Sequence, residues 1–129
     1  MVDQENRTDL HYAASDGRLA DLRRLLRDGA DPNATDSQGF TPLHFAAQFQ
    51  RTAEAQALLD AGALVDSQNA FGASPLLLAL SKVGDGDGSL IELLLKNGAD
   101  PDLENHTGVS PRSLAARVSN FDLNRFFRE

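Results

Sequence analysis

Apolar residues fall in short clusters along this chain, each broken off by glycine, proline and acidic residues. Leu19, Leu22, Leu25 and Leu26 stand at i, i+3, i+6 and i+7, which predicts a helix with a single apolar stripe that is buried against a neighbour. A shorter cluster precedes it and closes on the pair Ala13-Ala14. This couple of clusters then recurs. Thr8-Asp9-Leu10-His11-Tyr12-Ala13-Ala14 returns as Thr41-Pro42-Leu43-His44-Phe45-Ala46-Ala47, as Ser74-Pro75-Leu76-Leu77-Leu78-Ala79-Leu80, and as Ser110-Pro111-Arg112-Ser113-Leu114-Ala115-Ala116, at offsets of 33, 33 and 36. A second series keeps step with it: Leu25-Leu26-Arg27-Asp28-Gly29-Ala30-Asp31, Leu58-Leu59-Asp60-Ala61-Gly62-Ala63-Leu64 and Leu94-Leu95-Lys96-Asn97-Gly98-Ala99-Asp100. Two series in register make the chain a repeat protein.

Each unit can be read physically. Thr or Ser followed by Pro starts a first helix, because the hydroxyl accepts from free amides and Pro is tolerated where its missing N–H would be unpaired. The alanine pairs of that helix allow a second one to approach closely. The second helix stops at Gly29, Gly62 or Gly98, where a left-handed residue satisfies the last carbonyls.

These residues resemble the ankyrin repeat, whose unit of 33 residues carries Thr-Pro-Leu-His-x-Ala and Gly-Ala-Asp-Pro-Asn signatures. The resemblance covers nearly all the chain and is closest over Asp36 to Val65, with Gly39 at a hairpin tip; the first unit has Asn6 in that place. Departures come late. Leu77 replaces the usual His, Val83-Gly84-Asp85-Gly86-Asp87-Gly88-Ser89 lengthens the third unit, and Arg112-Ser113 replaces Leu-His. The resemblance implies an all-α solenoid of four helix-turn-helix units, forming a single domain over 1–129 with repeats at approximately 3–35, 36–68, 69–104 and 105–129. Ser119 to Glu129 is expected to add a last helix that caps the stack. The arginines Arg23, Arg24 and Arg27 at one end, and Arg112, Arg117, Arg125 and Arg128 at the other, are expected to give the ends polar outer surfaces.

Composition narrows the function. The chain has 129 residues, 12 Lys+Arg against 19 Asp+Glu, a net charge of −7 and no cysteine. This balance disfavours capture of nucleic acid or an anionic membrane, and it excludes disulfides, thiolate nucleophiles and thiolate metal sites. No apolar run suggests a signal or a membrane span, so a soluble, cytoplasmic protein is expected. The charge is segregated: residues 1–28 carry −1, residues 29–104 carry −8 and residues 105–129 carry +2.

Candidate chemistry is sparse. His11 and His44 occupy the same register position and read as structural residues bonding helix-start hydroxyls and loop backbone. His106 lies in an expected hairpin tip with no second ligand at metal spacing. Asp85 and Asp87 look like half a calcium loop, but an EF-hand begun at Asp85 would need its bidentate acid at Lys96. Ser74 and Ser110 are cap residues, and Asp31, Asp66, Asp100 and Asp102 fall in repeating turns where acids bond local amides. No catalytic residue, cofactor or metal is expected.

Function is then expected at positions the scaffold does not need. By resemblance, the hairpin tips and the exposed face of the first helices meet a partner, at Arg7, Ser37, Gln38, Phe40, Ala70, Phe71, Ala73, His106, Thr107 and Val109. Helix ends add Asp16, Gln48, Phe49, Lys82, Arg117 and Val118. Phe40, Phe49 and Phe71 stand out as exposed aromatic anchors, whereas Tyr12 and Phe45 read as packing between repeats. The expected activity is non-enzymatic protein binding by a chain that is monomeric when free. A narrower form is a small acidic inhibitor or immunity protein covering a basic enzyme or toxin. The alternative is a ligand- or metal-responsive adaptor using His106 or the Asp85 and Asp87 loop.

Overall fold

The computed structural model describes residues 4–83, 87–117 and 123–127. Among them the chain forms seven α-helices: α1 (Asp9–Asp16), α2 (Leu19–Arg27), α3 (Pro42–Gln48), α4 (Thr52–Asp60), α5 (Pro75–Val83), α6 (Ser89–Lys96) and α7 (Pro111–Arg117), followed by a 3-10 helix, Leu123–Phe127. Odd-numbered helices pack on one another in the order α1, α3, α5, α7, and even-numbered helices in the order α2, α4, α6. The molecule is therefore an all-α solenoid of paired helices in two layers.

The helix starts explain the repeated motif. Thr8 and Thr41 each cap a first helix: the hydroxyl accepts from the amide of His11 or His44, and the imidazole Nδ1 accepts in return from the threonine amide at 3.0 Å. The fourth unit keeps this reciprocity with smaller side chains. Ser110 Oγ accepts from the amide of Ser113 at 3.1 Å, and Ser113 Oγ accepts from the amide of Ser110 at 2.9 Å. At Leu77 only half survives, the amide donating to Ser74 Oγ at 3.2 Å. Asn6 adopts the left-handed conformation, φ 62°, that Gly39, Gly72 and Gly108 adopt at the other tips.

The core lies between the layers and between successive pairs. Leu10, Leu43 and Leu76 from the first helices and Leu22, Leu58 and Leu94 from the second are all buried, with Ala13-Ala14 and Ala46-Ala47 at the close approaches. The expectation of a wholly buried stripe on α2 needs correction, because Leu22 alone is fully buried and Leu19, Leu25 and Leu26 are half-buried. For Leu25, whose counterparts Leu58 and Leu94 are buried, the reason is position, since α2 has α4 on one side and no second-layer helix on the other; Leu26 is half-buried as its counterparts Leu59 and Leu95 are.

The expected last helix also differs. Leu123–Phe127 is a 3-10 helix that packs on α7, with Leu123 buried. The guanidinium of Arg125 lies 4.3 Å from the Phe126 ring centre and that of Arg112 lies 5.6 Å from Phe127, so both arginines cover aromatic surface while remaining exposed. Arg128, Val118 and Phe121 lie outside the described residues.

Gly72 joins two neighbouring tips at close range. Its φ is 78°, and a Cβ there would stand 2.7 Å from the His106 amide nitrogen, whereas a Cβ on Gly62, φ 100°, would meet nothing. Gly62→Ala should cost about 1–2 kcal/mol from backbone strain, and Gly72→Ala should cost clearly more because the next tip must also move. Urea unfolding of both variants tests this; equal costs would mean the tips do not restrain each other.

Candidate partner-binding surface

The hairpin tips are built by one side chain repeated in register. Asp36 Oδ1 accepts from the amides of Gln38 and Phe40, both at 2.9 Å. Asn69 Oδ1 accepts from Phe71 and Ala73 at 2.9 and 3.0 Å, and Asn105 Oδ1 accepts from Thr107 and Val109 at 3.0 and 2.9 Å. A short side chain thus replaces the partners that a tight turn denies its own backbone. The tips then bond one another. Ser37 donates to the carbonyl of Glu5 at 2.7 Å, Ala70 to that of Gln38 at 2.8 Å, and His106 to that of Phe71 at 3.0 Å. These links use main chain only, which leaves the tip side chains available.

The histidines fasten the same tips from beneath. His11 Nε2 lies 2.8 Å from the Phe40 carbonyl and His44 Nε2 lies 2.9 Å from that of Ala73. A carbonyl can only accept and Nδ1 is already an acceptor, so each ring is neutral with its proton on Nε2. Burial pushes the His44 pKa down, opposed by its bond to Ala73. Leu77 cannot make this link.

Placement of the expected contact residues divides them. Phe71 is 60% exposed and Phe49 48%. Ser37, Gln38, Ala70, His106 and Thr107 are exposed on the tips, and Asp16, Lys82 and Arg117 at the ends of α1, α5 and α7. Gln48 and Val109 are half-buried. Two expectations are corrected. Phe40 is not a projecting anchor: its ring stacks on Phe45 at 5.5 Å and meets His44 edge-on at 5.6 Å, because the aromatic at the following helix turn offers it apolar cover. Ala73 is buried, its carbonyl held by His44.

Arg7 is engaged within the chain, with Nε 3.4 Å from Asp36 and the guanidinium 5.3 Å from the Phe45 ring centre. A hydrogen bond with Tyr12, and then Asp36, hold its pKa further above the usual arginine value.

Tips and helix ends are not one patch. Phe71 sits before α5, whereas Phe49 follows α3, so the length of a first helix, roughly 10 Å at 1.5 Å per residue, separates the two levels. Between the two levels Tyr12, Phe45, Leu78 and Leu114 share one register position on α1, α3, α5 and α7, and all are half-buried; of these, Tyr12 and Phe45 were expected to pack between repeats. Sequence reading also missed Leu64, 63% exposed, where the other units have Asp31 and Asp100. The broken register was the available signal. The turn acids proved only partly local: Asp31 and Asp100 accept from amides two residues on, but Asp66 accepts from the amide of Asp100 in the next unit and Asp102 from Arg112 Nε at 2.8 Å.

Metal ligands do not assemble among the described residues, where no group of three His, Asp or Glu side chains converges. Asp85 lies outside them. Asp87 Oδ1 accepts from the Ser89 amide at the start of α6, which holds its pKa below the usual carboxylate range. Among the described residues no helix is long and apolar enough to cross a membrane.

The family model for ankyrin repeats, in three copies, matches residues 10–105. The chain belongs to the ankyrin-repeat family. The matched span includes α1 to α6 apart from the first residue of α1, while α7 and the 3-10 helix extend the ankyrin stack beyond it. A search of curated proteins finds no match. Ankyrin repeats are protein–protein interaction modules.

The His44 shift has a pH consequence. The folded-state value lies below the unfolded one, about 6.5, so the unfolded chain takes up the proton first. His44's contribution is then fully present above about pH 6.5 and is lost as pH falls toward the folded-state value, by at most about 1.4 kcal/mol per pH unit. Urea melts between neutral and mildly acidic pH should show that slope reduced in His44→Gln.

Proposed function

We propose that this protein is a non-catalytic binding module that holds a protein partner against its tips and the outward row of its first helices. The observation that carries this reading is Phe71. Its ring is the most exposed aromatic of the tips, yet its amide is bound by Asn69 and its carbonyl by His106, so a large apolar side chain is presented at little cost in conformational freedom. Anchors of this kind dominate interface energy when they enter a partner's pocket. Phe49 and the row from Tyr12 to Leu114 supply further apolar area, and Ser37, Gln38, Thr107 and His106 supply a polar rim.

A narrower reading rests on charge. The net charge of −7 favours approach of a basic protein, which fits a stack that covers the surface of a basic enzyme or toxin as an inhibitor or immunity protein does. At the tips the charge of Asp36 is paired with Arg7 at 3.4 Å, and its counterparts Asn69 and Asn105 are neutral. Electrostatics therefore serves approach and apolar burial serves retention. Raising salt should slow association more than it speeds dissociation.

Photocrosslinking tests the site. A benzoylphenylalanine at Phe71 or Phe49 should capture a partner in native lysate, while the same group at the exposed Glu92 on α6, in the opposite layer, should not. Phe71→Ala should weaken the captured partner's affinity by more than about 1 kcal/mol, the usual loss at an anchor, with the melting temperature unchanged. Phe40→Ala should do the reverse and lower stability by about 2 kcal/mol as stacked apolar area is lost. Crosslinking only from the opposite layer would refute the assignment.

A further inference from the structure

The layer of second helices carries a groove that stacking does not require. It lies between α2 and α4, has a volume of about 360 Å³, and has an apolar floor of Leu26, Ala57 and Ala61. It exists because Ala57 and Ala61 are small; the corresponding positions at the next pair hold Leu93 and Asn97. The rim is basic. Arg23 and Arg27, one turn apart on α2, line the groove, are exposed and have no ion pair among the described residues. Their neighbours differ: Arg18 and Arg24 are tied to Asp21 at 3.4 and 3.6 Å. On the far side Asp60 also lines the groove, with Oδ1 accepting from Gln56 Nε2 at 2.9 Å. Two guanidiniums thus face one carboxylate that is already engaged.

Register makes this local. The positions of Arg23 and Arg27 are Gln56 and Asp60 in the second unit and Glu92 and Lys96 in the third, so the doubly basic rim belongs to the first groove alone. In a chain of net charge −7 it is a positive island beside exposed apolar surface. Guanidiniums bind carboxylates through paired N–H donors, and a volume at the small end of ligand pockets suits one large side chain. We infer that this groove is a second docking site, which takes an acidic protein segment that inserts one apolar side chain between flanking carboxylates. It lies on the layer opposite the tips, so such a segment binds without displacing a partner held at Phe71.

A short fluorescent peptide with a central leucine flanked by glutamates tests this on the whole chain by anisotropy, beside a matched peptide with lysines for the glutamates. Phosphatidylserine vesicles form a third arm. The glutamate peptide should bind, more weakly as salt rises, and should shift amide resonances of α2 and α4. Arg23→Glu with Arg27→Glu should weaken it by about tenfold or more and transfer the preference to the lysine peptide. Ala57→Leu should abolish binding by filling the floor, and circular dichroism should show it folded, since α6 carries Leu93 at that position. Phe71→Ala should leave peptide binding intact, which separates this site from the tip surface. Equal binding of both peptides, binding that survives Ala57→Leu, recruitment to vesicles but not peptide, or no binding of either would overturn the inference.

Discussion

Everything in this molecule depends on lateral burial, in which each pair of helices hides its flank against the next pair. Helices of seven to nine residues are too short to persist in water alone, so Leu43 or Leu58 stabilises its helix only when the neighbouring pair is in place. Stability is then a sum of unit and interface terms along the stack. Leu25, half-buried where Leu58 and Leu94 are buried, shows the same rule at its boundary, where the neighbour is missing on one side.

Rigid tips follow from that burial. The tips of Asp36 and Asn69 are held from below by the preceding unit's imidazole, every tip is braced within itself by Asp36, Asn69 or Asn105, and one main-chain bond joins it sideways to its neighbour. Each device consumes backbone groups and leaves side chains outward. The division explains how a scaffold with little sequence freedom can still vary at Ser37, Gln38, Phe71 and His106. It also lets an acid serve the scaffold: buried Asp36 anchors a tip, while the exposed Asp31 and Asp100 bond amides in the turns after the second helices.

Much of this was legible in the sequence because periodicity is a property of the backbone's needs. Thr8, Thr41, Ser74 and Ser110 announced the helix starts, and the glycines announced the stops. The two histidines were read correctly as backbone ligands. What could not be read was which exposed-looking side chains find cover. Phe40 turns onto Phe45, a contact 5 residues away in sequence but fixed by the angle between tip and helix, which no register comparison contains. Leu64 was overlooked although its register is broken, because attention rested on aromatic residues. The α2–α4 groove arises from two alanines in a helix whose pattern otherwise looks ordinary.

The replacement of histidine by Leu77 bears on how the array yields. The first two seams are each stitched by a ring that spans from a cap to the following tip, whereas at the third, packing is joined by the link from Phe71 to His106, the Arg112 amide on the Pro101 carbonyl and an exposed ion pair from Asp102 to Arg112. Because an exposed ion pair is worth little beside a buried imidazole tie, the seam behind Leu77 is expected to give way first when the array is loaded from its ends. On that expectation the first three units form the frame of a door whose leaf is the fourth, and Phe71, on the frame side, keeps its posture when the leaf swings.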